Sequence, residues 1–190
     1  EGLVTPKIEL QTKAREPITA LAADPQGRFL AIARPKGVSI VGLADGNAII
    51  ELSGHTGAIS DVQFSASGDR LVVAAGETGL AGEATLWQTA DWKRGLVVSG
   101  HRDTLYAATL SPDGKVLATA SYDRDIRTWD AATGAPRQTL AGHNDAVYGL
   151  SFHPNSKILA SASGDRTVKL WDEARGERLD TFAQPAKEQY

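Results

Sequence analysis

A chain of 190 residues with 42% apolar and 23% charged residues is long enough to bury a core as one globular unit. Its formal charge of −3, with no Lys/Arg run, argues against a general grip on nucleic acid, which needs a basic face. The absence of cysteine excludes disulfides, thiolate chemistry, cysteine zinc sites and covalent haem attachment.

No apolar stretch approaches the ~18 residues of a membrane span, and no secretory leader is visible. The chain starts at Glu1 and has no methionine, so it reads as a processed, excised or engineered segment. Soluble cytoplasmic and periplasmic locations both stay open.

In chain order, strand-like Lys7-Ile8-Glu9-Leu10 marks an extra N-terminal strand within residues 1–12. A unit over 13–53 follows, with Ile18-Thr19-Ala20-Leu21, a turn at Pro25-Gln26-Gly27 and the run Phe29-Leu30-Ala31-Ile32. Units over 54–99, 100–141 and 142–183 each open on a Gly-His pair: Gly54-His55, Gly100-His101 and Gly142-His143. The histidines stand 46 and 42 residues apart. Trp87, Trp129 and Trp171 follow at equal intervals of 42. A period of roughly 40–45 residues fits one four-stranded propeller blade.

Within a unit the pattern recurs. An apolar strand such as Val147-Tyr148-Gly149-Leu150-Ser151-Phe152 meets a Pro turn, Ser111-Pro112-Asp113-Gly114 in one unit and His153-Pro154-Asn155-Ser156 in the next. The run Val116-Leu117-Ala118-Thr119-Ala120-Ser121, a polar turn at Tyr122-Asp123-Arg124-Asp125, and Ile126-Arg127-Thr128-Trp129 follow. Arg137-Gln138-Thr139-Leu140 closes the unit; its counterpart in the last unit is Arg178-Leu179-Asp180-Thr181-Phe182, followed by a tail over 184–190. No window has a helical period.

These residues resemble the WD-repeat (WD40) family, in a form that looks bacterial. Thr128-Trp129-Asp130 and Leu170-Trp171-Asp172 match its closing motif, and the Gly-His pairs its opening one. In the first unit Val41-Gly42 stands where Trp-Asp is expected and no Gly-His precedes it, so that unit reads as a degenerate blade. The resemblance implies an all-β propeller of four-stranded antiparallel blades. Four blades are half of an eight-bladed ring or part of a seven- or eight-bladed one. Closure would come from a second copy, as a homodimer, or from the remainder of a longer protein.

His55, His101 and His143 occupy one phase of successive repeats, so they cannot share a metal ion. The resemblance implies instead a structural hydrogen-bond set in each blade: His101, Ser121, Asp123 and Trp129 in one, His143, Ser163, Asp165 and Trp171 in the next. Thr119 and Ser161 are the alternative hydroxyls. Such a Ser-His-Asp set is not a catalytic triad, because its serine is tied to Trp on an inner strand with no oxyanion hole. The His55–Trp87 unit is four residues longer, and Ala81 takes the Asp position within Gly76-Glu77-Thr78-Gly79-Leu80-Ala81-Gly82-Glu83. That segment is expected to form a long, flexible, partner-facing loop, and it lacks the Gly-Lys-Ser/Thr of a phosphate loop. Asp123 with Asp125, and Asp165 with Asp172, are too few oxygens for Ca²⁺, and Arg124 and Arg166 share their turns.

Partners of WD-repeat proteins most often bind the face bearing these loops. The matching positions are Ser60, Tyr106 and Tyr148, then Ala58, Thr104 and Ala146, with Tyr122, Gly164, Arg124 and Arg166 in the turns. Tyr and Arg are enriched at binding hot spots. The expected function is a protein–protein interaction scaffold without catalysis or cofactor, binding other proteins or peptides and neither nucleic acid nor membrane. The alternative is an assembly segment of a larger bacterial protein, for example one carrying a cytochrome or kinase module. A propeller-type enzyme ranks below both.

Overall fold

The computed structural model describes residues 16–183. The expected strand at Lys7–Leu10 and the tail over 184–190 lie outside the described residues. Among the described residues, sixteen strands form four antiparallel sheets, each built from four consecutive strands. The first sheet holds β1 (Ala20–Ala23), β2 (Phe29–Arg34), β3 (Gly37–Gly42) and β4 (Ala48–Leu52). The second holds β5 (Ala58–Phe64), β6 (Arg70–Glu77), β7 (Ala81–Gln88) and β8 (Arg94–His101). The third holds β9 (Leu105–Leu110), β10 (Val116–Ser121), β11 (Ile126–Asp130) and β12 (Pro136–Leu140). The fourth holds β13 (Val147–Phe152), β14 (Ile158–Ser163), β15 (Thr167–Asp172) and β16 (Glu177–Ala183). The architecture is all-β, as the repeats imply.

The turn between the first two strands of each sheet shows why its residues are there. Ser111 Oγ accepts from the amides of Lys115 and Val116, and Gly114 N donates to Ser111 O at 2.8 Å. The last turn residue is left-handed in all four sheets. Glycine supplies that φ at Gly27, Gly68 and Gly114, while Ser156 adopts it at φ 61°.

Alternation along each strand gives every sheet two apolar faces, and the sheets stack through them. Leu52, Val38 and Ile40 of the first sheet pack with Leu71, Val73 and Trp87 of the second. Val72, Leu86 and Val98 meet Leu117, Trp129 and Ala131 of the third. Ala118, Ala120, Ile126 and Leu140 meet Val147, Leu159 and Trp171 of the fourth. The innermost strands β1, β5, β9 and β13 lie side by side in that order. Among the described residues, no buried apolar cluster joins the fourth sheet to the first.

Leu117 sits at the centre of the second junction with 0% exposure, opposite Trp129. Leu117→Ala leaves a cavity between two rigid sheets and is expected to cost about 2–5 kcal/mol in chemical denaturation.

Candidate functional site

The buried polar chain is built across a junction, not within one sheet. His101 is the last residue of β8 and pairs in register with Gly82, so its backbone belongs to the second sheet. Its side chain serves the third: Nδ1 lies 3.0 Å from Asp123 Oδ2 and Nε2 lies 2.9 Å from Thr119 Oγ1. Trp129 Nε1 donates to the same Thr119 Oγ1 at 3.0 Å. The fourth sheet repeats the arrangement. His143 Nδ1 lies 2.8 Å from Asp165 Oδ2, its Nε2 lies 2.7 Å from Ser161 Oγ, and Trp171 Nε1 donates to Ser161 Oγ at 2.9 Å. The Asp123 and Asp165 carboxylates also accept from Arg102 N and Asn144 N, which fastens the loop after each histidine.

The assignment of Ser121 and Ser163 to these chains is corrected. Ser121 Oγ donates to Asp103 O and Thr104 O, and Ser163 Oγ donates to Asp145 O. A register shift at Ala120/Ser121 turns the end of β10 toward the loop, and a similar one falls opposite Ser163. These serines brace the turns that carry Asp123 and Asp165 by accepting from those residues' amides.

Burial raises the pKa of the Asp123 carboxyl, but bonds from His101 and Arg102 outweigh it and hold it well below the carboxylate range. Burial likewise opposes ionisation of Asp165, and bonds from Thr167, Asn144 and His143 overcome it. Burial lowers His143 in spite of Asp165. The histidine and aspartate side chains of both sets are almost wholly shielded. With each hydroxyl shared between indole and imidazole, nothing in the sets is free to attack a substrate.

The second sheet has the same His and Trp without the chain. His55 Nδ1, His55 Nε2 and Trp87 Nε1 are buried and have no hydrogen-bond partner among the described residues. Val73 stands where Thr119 and Ser161 stand, two residues beyond the leucine that faces the tryptophan. The expected long flexible loop is instead a hairpin extension. The ladder of β6 and β7 continues to Glu77–Ala81, and Gly79 N donates to Asp103 Oδ1 at 2.8 Å. Ala81 is a strand residue there. Its neighbour Glu83 takes over the polar work, accepting from Thr56 Oγ1 at 2.9 Å and Arg94 Nη2 at 3.0 Å.

The residues expected to face a partner divide into three groups. Tyr106, Tyr122 and Tyr148 come together: the Tyr106 ring lies 4.9 Å from Tyr148 and 6.2 Å from Tyr122, centroid to centroid. Tyr122 and Tyr148 are half exposed. Burial and the neighbouring tyrosines and Asp103 raise the Tyr106 phenol, so it stays protonated. Gly164 adjoins the cluster, because a Cβ there would lie 3.2 Å from Tyr148. Arg124 lines a polar cleft of about 540 Å³ beside Tyr122, between the third and fourth sheets.

A second group is diverted. Ala146 is 1% exposed and cannot contact a partner. Ser60 is committed to Leu105 O at 2.5 Å, joining β5 to β9. Thr104 packs against Gly76 so closely that a Cβ on that glycine would lie 2.5 Å from its Cα. Ala58 is not diverted in this way: it is exposed at the start of β5. A third case is Arg166, which lines a different depression, on the far side of the fourth sheet.

Four cleft residues were missed by the sequence reading: Arg102, Asp103, Asn144 and Asp145. Their signal is a His-x-Asp step repeated after two Gly-His pairs, in which Asp103 and Asp145 each accept from the next amide, at 2.8 and 2.7 Å. Among the described residues, no helix is long and apolar enough to cross a membrane.

The profile of the WD domain, G-beta repeat family matches residues 46–81, 92–130 and 134–172, more than half of the chain. The chain belongs to the WD40 repeat family. Each match starts near the last strand of one sheet and runs into the next, so sequence repeat and sheet are out of phase by one strand.

The chain is similar to an uncharacterized WD repeat-containing protein of the cyanobacterium Synechocystis sp., 32% identical over 124 residues. That match covers 64% of this chain and 34% of the relative. The nuclear distribution protein nudF of Aspergillus flavus is 34% identical over 84 residues, covering 44% of the chain and 18% of the relative. Subunit I of eukaryotic translation initiation factor 3 of Aspergillus niger is 32% identical over 85 residues, covering 45% and 24%. The chain thus spans about a third or less of the length of these relatives.

Val73→Thr supplies a hydroxyl that can accept from Trp87 Nε1 and bond to a His55 ring nitrogen, and chemical denaturation is expected to show a gain of about 1 kcal/mol. Thr119→Val removes the shared hydroxyl from a buried indole N–H and a buried imidazole nitrogen and is expected to cost about 1–3 kcal/mol. Acidification gives an independent check. Burial lowers His55, with Arg94 adding to the effect, and burial lowers His143. Both therefore favour the neutral form more when folded, and the unfolded chain takes up protons first below its pKa of ~6.5. Thermal unfolding should move to lower temperature between pH 7 and pH 5. His55→Leu should flatten that dependence. Asp61, whose carboxyl is raised by burial, acts in the opposite sense within the carboxylate range.

Proposed function

We propose that this WD40 segment is a non-catalytic scaffold that holds a protein or peptide partner on the tyrosine-lined surface at the junction of its third and fourth sheets. The observation that carries the reading is the convergence of Tyr106, Tyr122 and Tyr148 from two sheets beside the Arg124 cleft. Tyrosine offers a large amphipathic contact at low entropic cost, and arginine offers a planar donor fork. Arg102 and Arg124 lie with Asp103 and Asp145 in the same cleft, so both signs of charge are available to orient a polypeptide.

The interior supports the same reading. The His, Asp and hydroxyl groups that could do chemistry are paired with one another and shielded. What the surface offers is shape and hydrogen bonding. The partner binds to a pre-formed site, because both loops beneath it are tied to their sheets through Asp123 and Asp165.

Affinity capture with the intact chain, followed by titration of the captured partner, tests this. A Tyr106→Ala/Tyr148→Ala double variant should weaken binding by about tenfold or more while its β-sheet circular dichroism stays unchanged. Unchanged affinity in a folded double variant would remove the tyrosine surface from the reading.

A further inference from the structure

The cleft between the third and fourth sheets holds charges of both signs that do not pair with each other. Arg102 and Arg124 line it together with Asp103 and Asp145. Among the described residues, both arginines bond through their backbone amides alone, to Asp123 Oδ2 and Ser121 O. Asp103 Oδ1 accepts from Gly79 N and Thr104 N, and Asp145 Oδ1 accepts from Ala146 N. Each of these two carboxylates is thereby fixed through one oxygen, and its Oδ2 has no hydrogen-bond partner among the described residues. Asp123, the third carboxylate of the cleft, is spent: its oxygens bond His101, Arg102 N and Asp125 N. We infer that the cleft reads a charge pair, a partner segment with an acidic and a basic side chain next to each other, the acid on Arg102 and Arg124 and the base on Asp103 and Asp145. The inference rests on the tyrosine-lined surface being the binding site and names what that surface selects.

The selectivity follows from the uncommitted groups. Two guanidinium groups and two carboxylates are left for a ligand, so a segment of mixed charge satisfies both signs at once. A run of acidic residues would bring carboxylates against Asp103 and Asp145. A run of basic residues would bring cations against Arg102 and Arg124. Either run meets like charge in part of the cleft, which costs affinity. The carboxylates also stand beside the aromatic rings. A Cβ on Gly164 would lie 3.0 Å from Asp145 Oδ2 and 3.2 Å from Tyr148 Cε2, so carboxylate and ring meet there. Burial, Tyr148, Tyr122 and Asp103 all raise the Tyr106 phenol, so Asp103 stands within electrostatic reach of the cluster. A cation gains from ring faces as well as from carboxylates, and the base is therefore assigned to that side.

Arg124 allows the binding role to be separated from a role in folding. Its φ is 76°, in the left-handed region that glycine occupies without strain. Replacing it by glycine removes the guanidinium and relieves the backbone together. Arg166 holds φ 67° at the same point of the fourth-sheet turn, but it lines the other depression, where no second arginine stands. An arginine that served only its turn would respond alike at both positions.

The test titrates the full chain with three N-acetylated, C-amidated peptides that share Gly/Ser flanks and differ only in a central Glu-Lys, Glu-Glu or Lys-Lys step. Binding is followed by NMR shifts of the arginine Nε–H groups and the tyrosine rings. The Glu-Lys peptide should bind roughly fivefold or more tighter than the other two. Asp103→Asn with Asp145→Asn keeps the oxygens that hold the backbone amides and should remove the preference over Glu-Glu. Arg124→Gly should weaken Glu-Lys binding while its denaturation midpoint stays or rises, and Arg166→Gly should leave binding unchanged. Equal or tighter binding of either single-sign peptide would overturn the inference, as would no binding of any of the three or equal losses in the two glycine variants. If Tyr106→Ala/Tyr148→Ala weakens a captured partner and the charge variants do not, the tyrosine surface stands and the charge pair falls.

Discussion

Each shared hydroxyl, Thr119 Oγ1 or Ser161 Oγ, accepts a bond from an indole N–H and also bonds to an imidazole nitrogen, and this double duty fixes far more than one side chain. The tryptophan comes from the third strand of a sheet and the hydroxyl from its second. The histidine reaches them from the end of the preceding sheet or the segment after it. The aspartate of the turn closes the set and holds the loop amide that follows the histidine. Antiparallel pairing alone would leave each sheet a separate unit, with only apolar faces between neighbours. The polar chain adds direction to that contact, because a slip of one sheet against the next would strand several buried donors at once.

The junction between the first and second sheets shows what happens without it. There Val73 leaves His55 and Trp87 without a polar partner among the described residues, and the apolar cluster with Trp87 and Trp92 carries the contact. Gly57 and Gly76 lie so close that a Cβ on Gly57 would stand 2.1 Å from Gly76 O. Close backbone packing therefore occupies the region where the aspartate turn sits in the later sheets. The Thr56–Glu83–Arg94 set is a more exposed substitute, and more exposed charge pairs stabilise less than buried, fully bonded ones. The later junctions are accordingly the better places to mount a rigid surface.

The repeat period, the four sheets and the identity of the histidines, aspartates and tryptophans were legible because they recur at fixed spacing. Period-2 alternation could not choose between Thr119 and Ser121, which lie on the same side of one strand. Only the register of β10 against β11, and the shift at its end, decides the matter. The burial of Ala146 and the commitment of Ser60 to Leu105 O depend on how successive sheets pack, which no single repeat encodes. The hairpin over Gly76–Glu83 was hidden by its glycines, which read as a loop although their small size serves close packing against Asp103 and Thr104.

The proposed partner surface at the third and fourth sheets rests on the same polar chains. A binding surface needs groups that are exposed but held, and the two requirements usually conflict. Here they are divided between layers. Asp123 and Asp165 spend their hydrogen bonds on the interior, fixing the loop amides of Arg102 and Asn144. That leaves the Arg102, Asn144 and Asp145 side chains to line the cleft, with Tyr122 at its edge and Tyr148 next to the packed Tyr106 ring. The residues that first suggest an enzyme are thus supports of the proposed surface, and their burial leaves the neighbouring side chains to face outward.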